Sequence, residues 1–167
     1  TAWLPFSFYN QVFWRYDPAS GAYNRIQDKA DAETFEMALD RLNGQPLTFE
    51  NVVILFANHE RISDTIFDLD LNYIDRAPAL LFRDGQVYQI FWTTANGDYE
   101  KQTGQLRPIR FIDPSGNPFP LKPGQTWVEI VTPASSTYET VDSLSWYEMK
   151  TKRQAGSGIW AINFRAP

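Results

Sequence analysis

The sequence lacks cysteine and contains a single histidine, His59, among its 167 residues. Without cysteine there is no disulfide framework, no thiolate nucleophile and no cysteine-ligated zinc or iron–sulfur cluster. Without a second histidine the chain also lacks a histidine set for a catalytic zinc site. A chain of this length buries about 68–70% of its unfolded surface, so it needs no covalent cross-link to maintain a core. We therefore expect no metal and no cofactor.

Basic residues and long apolar runs are also scarce. Fifteen Lys and Arg are outnumbered by twenty Asp and Glu, which gives a net charge of −5. Duplex binding needs clustered Lys and Arg to displace counterions, so this charge argues against a nucleic-acid partner. The one basic cluster, Lys150, Lys152 and Arg153, is shorter than a polybasic membrane anchor of about four to eight residues. No apolar run approaches about 18 residues, so we expect no transmembrane segment in this chain.

The chain is instead rich in aromatic residues, with six Trp, eight Tyr and twelve Phe. Aromatic side chains favour strands, and Gly and Pro divide the sequence into short apolar runs. Residues 51–57 are apolar on both faces, which predicts a central strand. Residues 79–83 and 86–92 flank Asp84-Gly85, the pair that a two-residue hairpin turn requires. These patterns predict a mainly β (α+β) fold, an antiparallel, partly closed barrel or sandwich.

One packed helix is predicted near residues 32–42. Asp31 precedes it as a candidate N-cap, and Gly44 follows it as part of a stop signal. Its apolar residues recur at i, i+3, i+4 and i+7, namely at Phe35, Ala38, Leu39 and Leu42. A single apolar stripe of this kind packs on a sheet, so we expect it to cover the strand at residues 51–57.

Acidic residues between positions 60 and 75 form the first candidate site. Asp68 and Asp70 lie on one face of an expected strand, about 7 Å apart, with Glu60 and Asp64 close in sequence. Three interpretations are open: a solvated strand face, a site for a hard cation, and a pair of catalytic carboxylates. No calcium-loop motif is present. We therefore predict no metal site and no catalytic residue, and we retain Asp68 and Asp70 as candidates for ligand binding.

His59 and two aromatic residues complete the candidate ligand-binding set. No Gly-x-Ser-x-Gly elbow exists for which His59 would be the base, so we expect a structural hydrogen bond from this residue at a strand end. Tyr88, Ile90 and Trp92 share one face of their strand. Exposed Tyr and Trp rings stack on sugars or fill a partner's pocket, while core packing is the alternative for the same side chains.

Several short motifs also occur in a fixed order. They run from Phe13-x-x-Tyr16-Asp17 and Gly21-x-Tyr23-x-Arg25, through Glu50-Asn51-Val52-Val53, Ala57-Asn58-His59, Asp68-Leu69, Phe82-x-x-Gly85-x-Val87 and Trp92, to Gly116-x-Pro118 and Pro123-Gly124-Gln125-Thr126-Trp127-Val128. Over residues 8–133 this series resembles the C-terminal domain of the YerB-like bacterial lipoprotein family, a domain of unknown function. Residues 134–167 have no counterpart in that resemblance and are interpreted as a C-terminal extension. We predict that both parts form a single domain, residues 1–167.

The resemblance implies a place outside the cytoplasm, in the cell envelope. A membrane tether is expected only through an N-terminal region outside this sequence, and no catalytic residue is implied. We therefore predict a binding or interaction domain without enzymatic activity, whose partner is an unknown envelope protein or a glycan. One alternative is an envelope polysaccharide hydrolase that uses carboxylates between Glu60 and Asp70. The other is a structural module that supports an N-terminal domain.

Overall fold

The computed structural model describes residues 1–64, 66–72, 74–95, 98–105 and 107–167. Within these ranges there are fourteen strands and two helices. The strands are β1 (Ala2–Ser7), β2 (Asn10–Asp17), β3 (Ala22–Asp28), β4 (Phe35–Met37), β5 (Thr48–Phe49), β6 (Asn51–Phe56), β7 (His59–Arg61), β8 (Phe67–Leu69), β9 (Ala77–Arg83), β10 (Gln86–Thr93), β11 (Arg110–Ile112), β12 (Thr126–Val131), β13 (Ser136–Glu139) and β14 (Trp160–Asn163). The helices are α1 (Tyr99–Thr103) and α2 (Trp146–Thr151). Neither is long and apolar enough to cross a membrane.

Most of the strands belong to two sheets. Sheet I has the order β13-β14-β1-β2-β3-β4, and β5 also pairs with β3; sheet II has the order β11-β10-β9-β6-β12. Strands β7 and β8 form a separate two-stranded ribbon. Strand β14 is parallel to β1, and β12 is parallel to β6. The mainly β fold is confirmed, but the sheets are mixed rather than wholly antiparallel. Parallel pairs need long crossover connections, which local sequence patterns do not reveal.

The two sheets pack face to face and enclose the main core. Sheet I contributes the fully buried Leu4 and Trp14, while sheet II contributes Val52, Ile54 and Phe82. Alternate residues of each strand point into this space, as expected for packed sheets. The architecture is therefore a sandwich, and the two sheets formed by the described residues do not close into a barrel.

Strand β6 is central, as predicted, with β9 and β12 on either side. Val53 and Leu55 point away from sheet I into a second buried cluster, which includes Leu81 and Trp92. No helix covers this cluster in the described residues. Half-buried side chains from connecting segments pack there instead, namely Leu71, Ile74, Phe119 and Leu121.

Helix α2 covers the outer face of sheet I. Its Met149 is buried against Trp3 and Phe13 in a third cluster. The hydroxyl of Ser145 caps the helix by accepting a hydrogen bond from the backbone N–H of Glu148 at 3.4 Å. The segment after residue 134 is thus built into the sandwich through α2, β13 and β14.

The predicted helix at residues 32–42 is wrong. This segment contains β4, which pairs with β3, and Leu39 forms an isolated bridge with Pro46. Leu39 is 52% exposed and Leu42 is 97% exposed, so neither side chain packs on β6. Phe35 packs with the cluster beneath α2 instead.

Local hydrogen bonds explain why the strand forms in place of this helix. The carboxylate of Asp31 accepts hydrogen bonds from the backbone N–H groups of Glu33 and Thr34 at 2.9 and 2.6 Å. Hydrogen bonds to the side chain of Thr34 and to these backbone groups lower the pKa of Asp31 to about 2. Ala32 has φ = 65°, a left-handed conformation that cannot begin an α-helix. Asp31 therefore fixes a turn, and the chain leaves that turn as an edge strand.

The predicted hairpin between β9 and β10 is confirmed. Arg83 pairs with Gln86, and the two turn residues have φ values of 51° at Asp84 and 75° at Gly85. These are the positive values that a type I′ turn requires. The backbone N–H of Gly85 also donates to the hydroxyl of Tyr23 at 3.1 Å. This bond links the turn to sheet I.

A half-buried carboxylate lies where β3 and β12 meet. The Arg25 guanidinium lies 5.0 Å from the ring centre of Trp127, and Trp127 Nε1 donates to Glu129 Oε1 at 2.7 Å. Burial raises the pKa of Glu129, although the Trp127 hydrogen bond and the charge of Arg25 oppose the rise. The ionised form of Glu129 is therefore less favourable in the folded protein than in water.

Candidate functional site

An open cleft of about 590 Å³ lies beside the β7–β8 ribbon. The β7–β8 ribbon and the residues after it form one side, and the chain after β12 forms the other. The lining residues are Asn58, His59, Glu60, Asp68, Leu69, Asp70, Asn72, Thr132, Pro133, Ala134 and Pro167. The cleft thus contains three of the predicted ligand-binding residues, His59, Asp68 and Asp70.

The parallel pairing of β6 and β12 creates this cleft. The backbone N–H of Ala57 donates to the carbonyl of Val131 at 3.0 Å, so the carboxyl ends of the two strands lie side by side. Residues 58–60 and 132–134 therefore leave sheet II at the same edge. Asn72 and residues 132–134 are not among the predicted site residues, because no local sequence pattern shows that these segments meet.

The ribbon register sets the positions of the carboxylates. Glu60 lies directly opposite Asp68 in the ladder, and the backbone N–H of Asp70 bonds to the carbonyl of Asn58 at 3.0 Å. Opposite residues in such a ladder have Cβ atoms about 4.5–5.5 Å apart, so Glu60 and Asp68 are a close pair of like charges. Within the described residues, no Lys or Arg forms an ion pair with Glu60, Asp68 or Asp70.

His59 is oriented by a backbone hydrogen bond. Its Nδ1 lies 3.0 Å from the carbonyl of Ala57. A carbonyl only accepts, so Nδ1 carries the proton and Nε2 is the nitrogen that can interact with a ligand. The imidazole also lies 6.4 Å from the ring centre of Phe164. The expected structural hydrogen bond of His59 is confirmed, and the same bond leaves Nε2 available.

The opposite side of the cleft is held by a second set of hydrogen bonds. Thr132 is buried, and its hydroxyl donates to the carbonyl of Arg165 at 2.6 Å. The Ser135 hydroxyl lies 3.1 Å from the Thr132 hydroxyl and accepts from the backbone N–H of Arg165 at 3.2 Å. Because its proton is already donated, Thr132 is poorly placed to act as a nucleophile.

The two predicted aromatic candidates lie outside the cleft. Trp92 is fully buried, and its Nε1 donates to the carbonyl of Phe56 at 3.2 Å. Tyr88 is half-buried, with its ring 5.4 Å from that of Phe119 and the Arg83 guanidinium 4.9 Å from its centre. Core packing, the alternative interpretation, describes Trp92. The Trp92 ring is enclosed in the core, and the Arg83 guanidinium covers one face of the Tyr88 ring.

No grouping of metal ligands occurs among the described residues. Asp64, which was near the acidic candidates in sequence, forms an ion pair with Arg61 at the ribbon end and does not line the cleft. What the cleft offers chemically is a set of hydrogen-bond acceptors and negative charges, together with the side-chain amides of Asn58 and Asn72.

Comparison with known proteins places this fold in a family. Residues 3–128 match the family described as "Protein of unknown function (DUF3048) C-terminal domain". The chain belongs to this DUF3048 C-terminal domain family. The matched region includes the β7–β8 ribbon and the three cleft carboxylates, and it ends before residues 132–134.

A curated relative of this DUF3048 domain is "Putative lipoprotein YerB" from Bacillus subtilis (strain 168). The two are 30% identical over 123 residues, which is 73% of this chain and 31% of the relative. The crystal structure of YerB protein from Bacillus subtilis is similar in fold, with a TM-score of 0.57, 30% identity, and coverage of 73% of this chain and 36% of that one. The present chain thus spans about a third of the length of these relatives.

Proposed function

We propose that this DUF3048 domain is a non-catalytic binding domain of an envelope lipoprotein, located outside the cytoplasm. The observation that carries the proposal is the cleft of about 590 Å³ with its unpaired carboxylates, its two amides and the oriented imidazole of His59. Ligand sites are concave and contain a few polar groups that fix orientation. The name of the relative, a lipoprotein, supports the location.

The chemistry of the cleft favours binding over hydrolysis. A glycosidase needs one carboxylic acid that stays protonated near neutral pH, usually because it is buried. Glu60, Asp68 and Asp70 are all exposed. His59 bonds through Nδ1 to a backbone carbonyl, and no described carboxylate holds it as in a catalytic triad.

Binding is tested by titrating the ¹⁵N-labelled domain with soluble peptidoglycan fragments and neutral oligosaccharides. We expect amide shifts at residues 58–60 and 68–70, weakened in the double variant Asp68→Asn/Asp70→Asn. The matched control is Glu33→Gln/Glu36→Gln, which removes two exposed charges from the edge of sheet I. Shifts that persist unchanged in the Asp68/Asp70 variant would place binding elsewhere.

Hydrolysis is tested with the same substrates by measuring the release of new reducing ends. We expect none above the buffer rate. Release that disappears in Asp68→Asn but persists in Glu33→Gln would replace the proposal with the hydrolase alternative.

A further inference from the structure

One face of the β7–β8 ribbon carries an apolar pair beside a charged pair. Glu60 is paired with Asp68 in the ladder, and the backbone N–H of Ile62 bonds to the carbonyl of Ile66 at 3.0 Å, which continues the pairing toward the turn. Ile62 directly follows β7 and Ile66 directly precedes β8, so extending the alternation of the ladder by one pair puts both pairs on the same side of the ribbon. Ile62 and Ile66 are 59% and 57% exposed, and both acidic residues are exposed as well. These four residues are called the ribbon face.

Each feature of the ribbon face is unfavourable while water covers it. Like charges directly opposite each other destabilise a ladder, and a two-stranded ribbon on its own is only marginally stable. Arg61 is engaged with Asp64 and does not pair with Glu60. Two large isoleucines exposed together gain nothing from the hydrophobic effect. A surface with cations opposite the carboxylates and apolar groups opposite the isoleucines relieves all of these costs at once.

We infer that the ribbon face is a docking surface for a protein segment that carries Lys or Arg side chains next to apolar ones. Charge complementarity selects this occupant, because no Lys or Arg in the described part of the chain forms an ion pair with Glu60 or Asp68. The net charge of −5 opposes approach to an anionic lipid surface. The inference rests on the proposed function, since Glu60 and Asp68 also line the cleft.

The probe is a fluorescently labelled synthetic peptide of alternating Lys and Leu, measured by anisotropy. Two comparison peptides replace every Lys with Glu or every Leu with Ser, and both are expected to bind more weakly. Glu60→Gln/Asp68→Asn should weaken binding of the Lys–Leu peptide by about three- to tenfold, as expected for two exposed ion pairs. Ile62→Ser/Ile66→Ser should weaken it by about fivefold or more. The charge-matched control Glu33→Gln/Glu36→Gln should stay within about twofold of the unchanged protein.

Several results would overturn the inference. If the Glu–Leu peptide binds as tightly as the Lys–Leu peptide, charge plays no role in binding. If both ribbon-face variants bind the Lys–Leu peptide with unchanged affinity, the peptide binds at another surface of the protein. A dimer of the free protein that is lost in Ile62→Ser/Ile66→Ser identifies a second copy as the occupant. Pelleting with phosphatidylcholine vesicles that is lost in the same variant identifies a membrane.

Failure of the proposed function gives a different pattern. If no peptide, peptidoglycan fragment or oligosaccharide shifts any amide signal of the cleft, the proposed function and this inference both fall. If peptidoglycan fragments shift the cleft signals while the Lys–Leu peptide binds no better than its comparison peptides, the proposed function stands and only the inference is wrong.

Discussion

Substitution of Gly85 gives a direct test of how the β9–β10 turn meets sheet I. Gly85 has φ = 75°, and a Cβ atom added there would lie 2.9 Å from two ring carbons of Tyr16. A residue with a Cβ atom in the left-handed region lowers the free energy of unfolding by about 1–2 kcal/mol. The Tyr16 ring must also move against Tyr23, whose centroid is 5.2 Å away, and overpacking of this kind costs about 1–3 kcal/mol. Gly85→Ala should therefore lower the free energy of unfolding by about 2–5 kcal/mol.

Gly44 supplies the matched control. Its φ of 70° is close to that of Gly85, but no atom lies within 4 Å of an added Cβ. Gly44→Ala should therefore lower the free energy of unfolding only by the cost of the left-handed backbone conformation, about 1–2 kcal/mol. Both variants are measured by urea unfolding with tryptophan fluorescence, with the slope m unchanged. Equal losses at the two glycines would show that the contact with Tyr16 contributes nothing, and the reasoning would be refuted.

Three further predictions concern the edge strand, the half-buried carboxylate and the acidic cleft. Leu39→Ala should change the unfolding free energy by less than about 0.5 kcal/mol, because Leu39 is exposed; a loss of about 2 kcal/mol in urea unfolding would support the helix after all. Burial raises the pKa of Glu129 in the folded state, so the folded protein binds more protons just above the ordinary glutamate pKa of 4.5 and stability falls as pH rises through that window. Glu129→Gln keeps an acceptor for Trp127 and should remove this decline. The melting temperatures of both proteins are measured from acidic to neutral pH, and the same dependence on pH in the two proteins would contradict the assignment. Millimolar Ca²⁺ should raise the melting temperature no more than sodium chloride at equal ionic strength, and a calcium-specific rise lost in Asp68→Asn/Asp70→Asn would establish a cation site.

The elements that sequence predicts well are those fixed by neighbouring residues. The β9–β10 hairpin follows from Asp84 and Gly85, which tolerate positive φ, and β6 follows from an apolar run that packs on both faces. In each case the local preference and the final packing agree, so the local pattern is sufficient.

The helix prediction failed where two local signals competed. Asp31 is a good N-cap residue, but the same carboxylate hydrogen bonds also stabilise a turn. The apolar spacing of Leu39 and Leu42 suggested a buried stripe, yet both are exposed. Pairing of β4 with β3 gave the backbone an alternative set of hydrogen bonds, and only the tertiary structure decides between them.

The sequence predicted residues on only one side of the cleft. His59, Asp68 and Asp70 are close in sequence and meet through the β7–β8 ribbon. The opposing residues 132–134 reach them because β12 lies parallel to β6, and no local pattern indicates that pairing. Trp92 was a candidate for ligand binding but is fully buried, because the sequence of a strand does not show whether other segments cover one of its faces.

The parallel pairing of β1 with β14 has a consequence for the time course of folding. Strand β1 has β2 on one side, but the neighbour on its other side comes from residues 160–163, which are distant in sequence. During synthesis β1, β2 and β3 emerge before β14, so one edge of β1 keeps its backbone groups unpaired until residues 160–163 are available. An open edge of this kind attracts other strands, and contacts between such distant segments form slowly. Sheet I is therefore completed only when β14 joins it, and this pairing protects the edge of β1 from association with other chains.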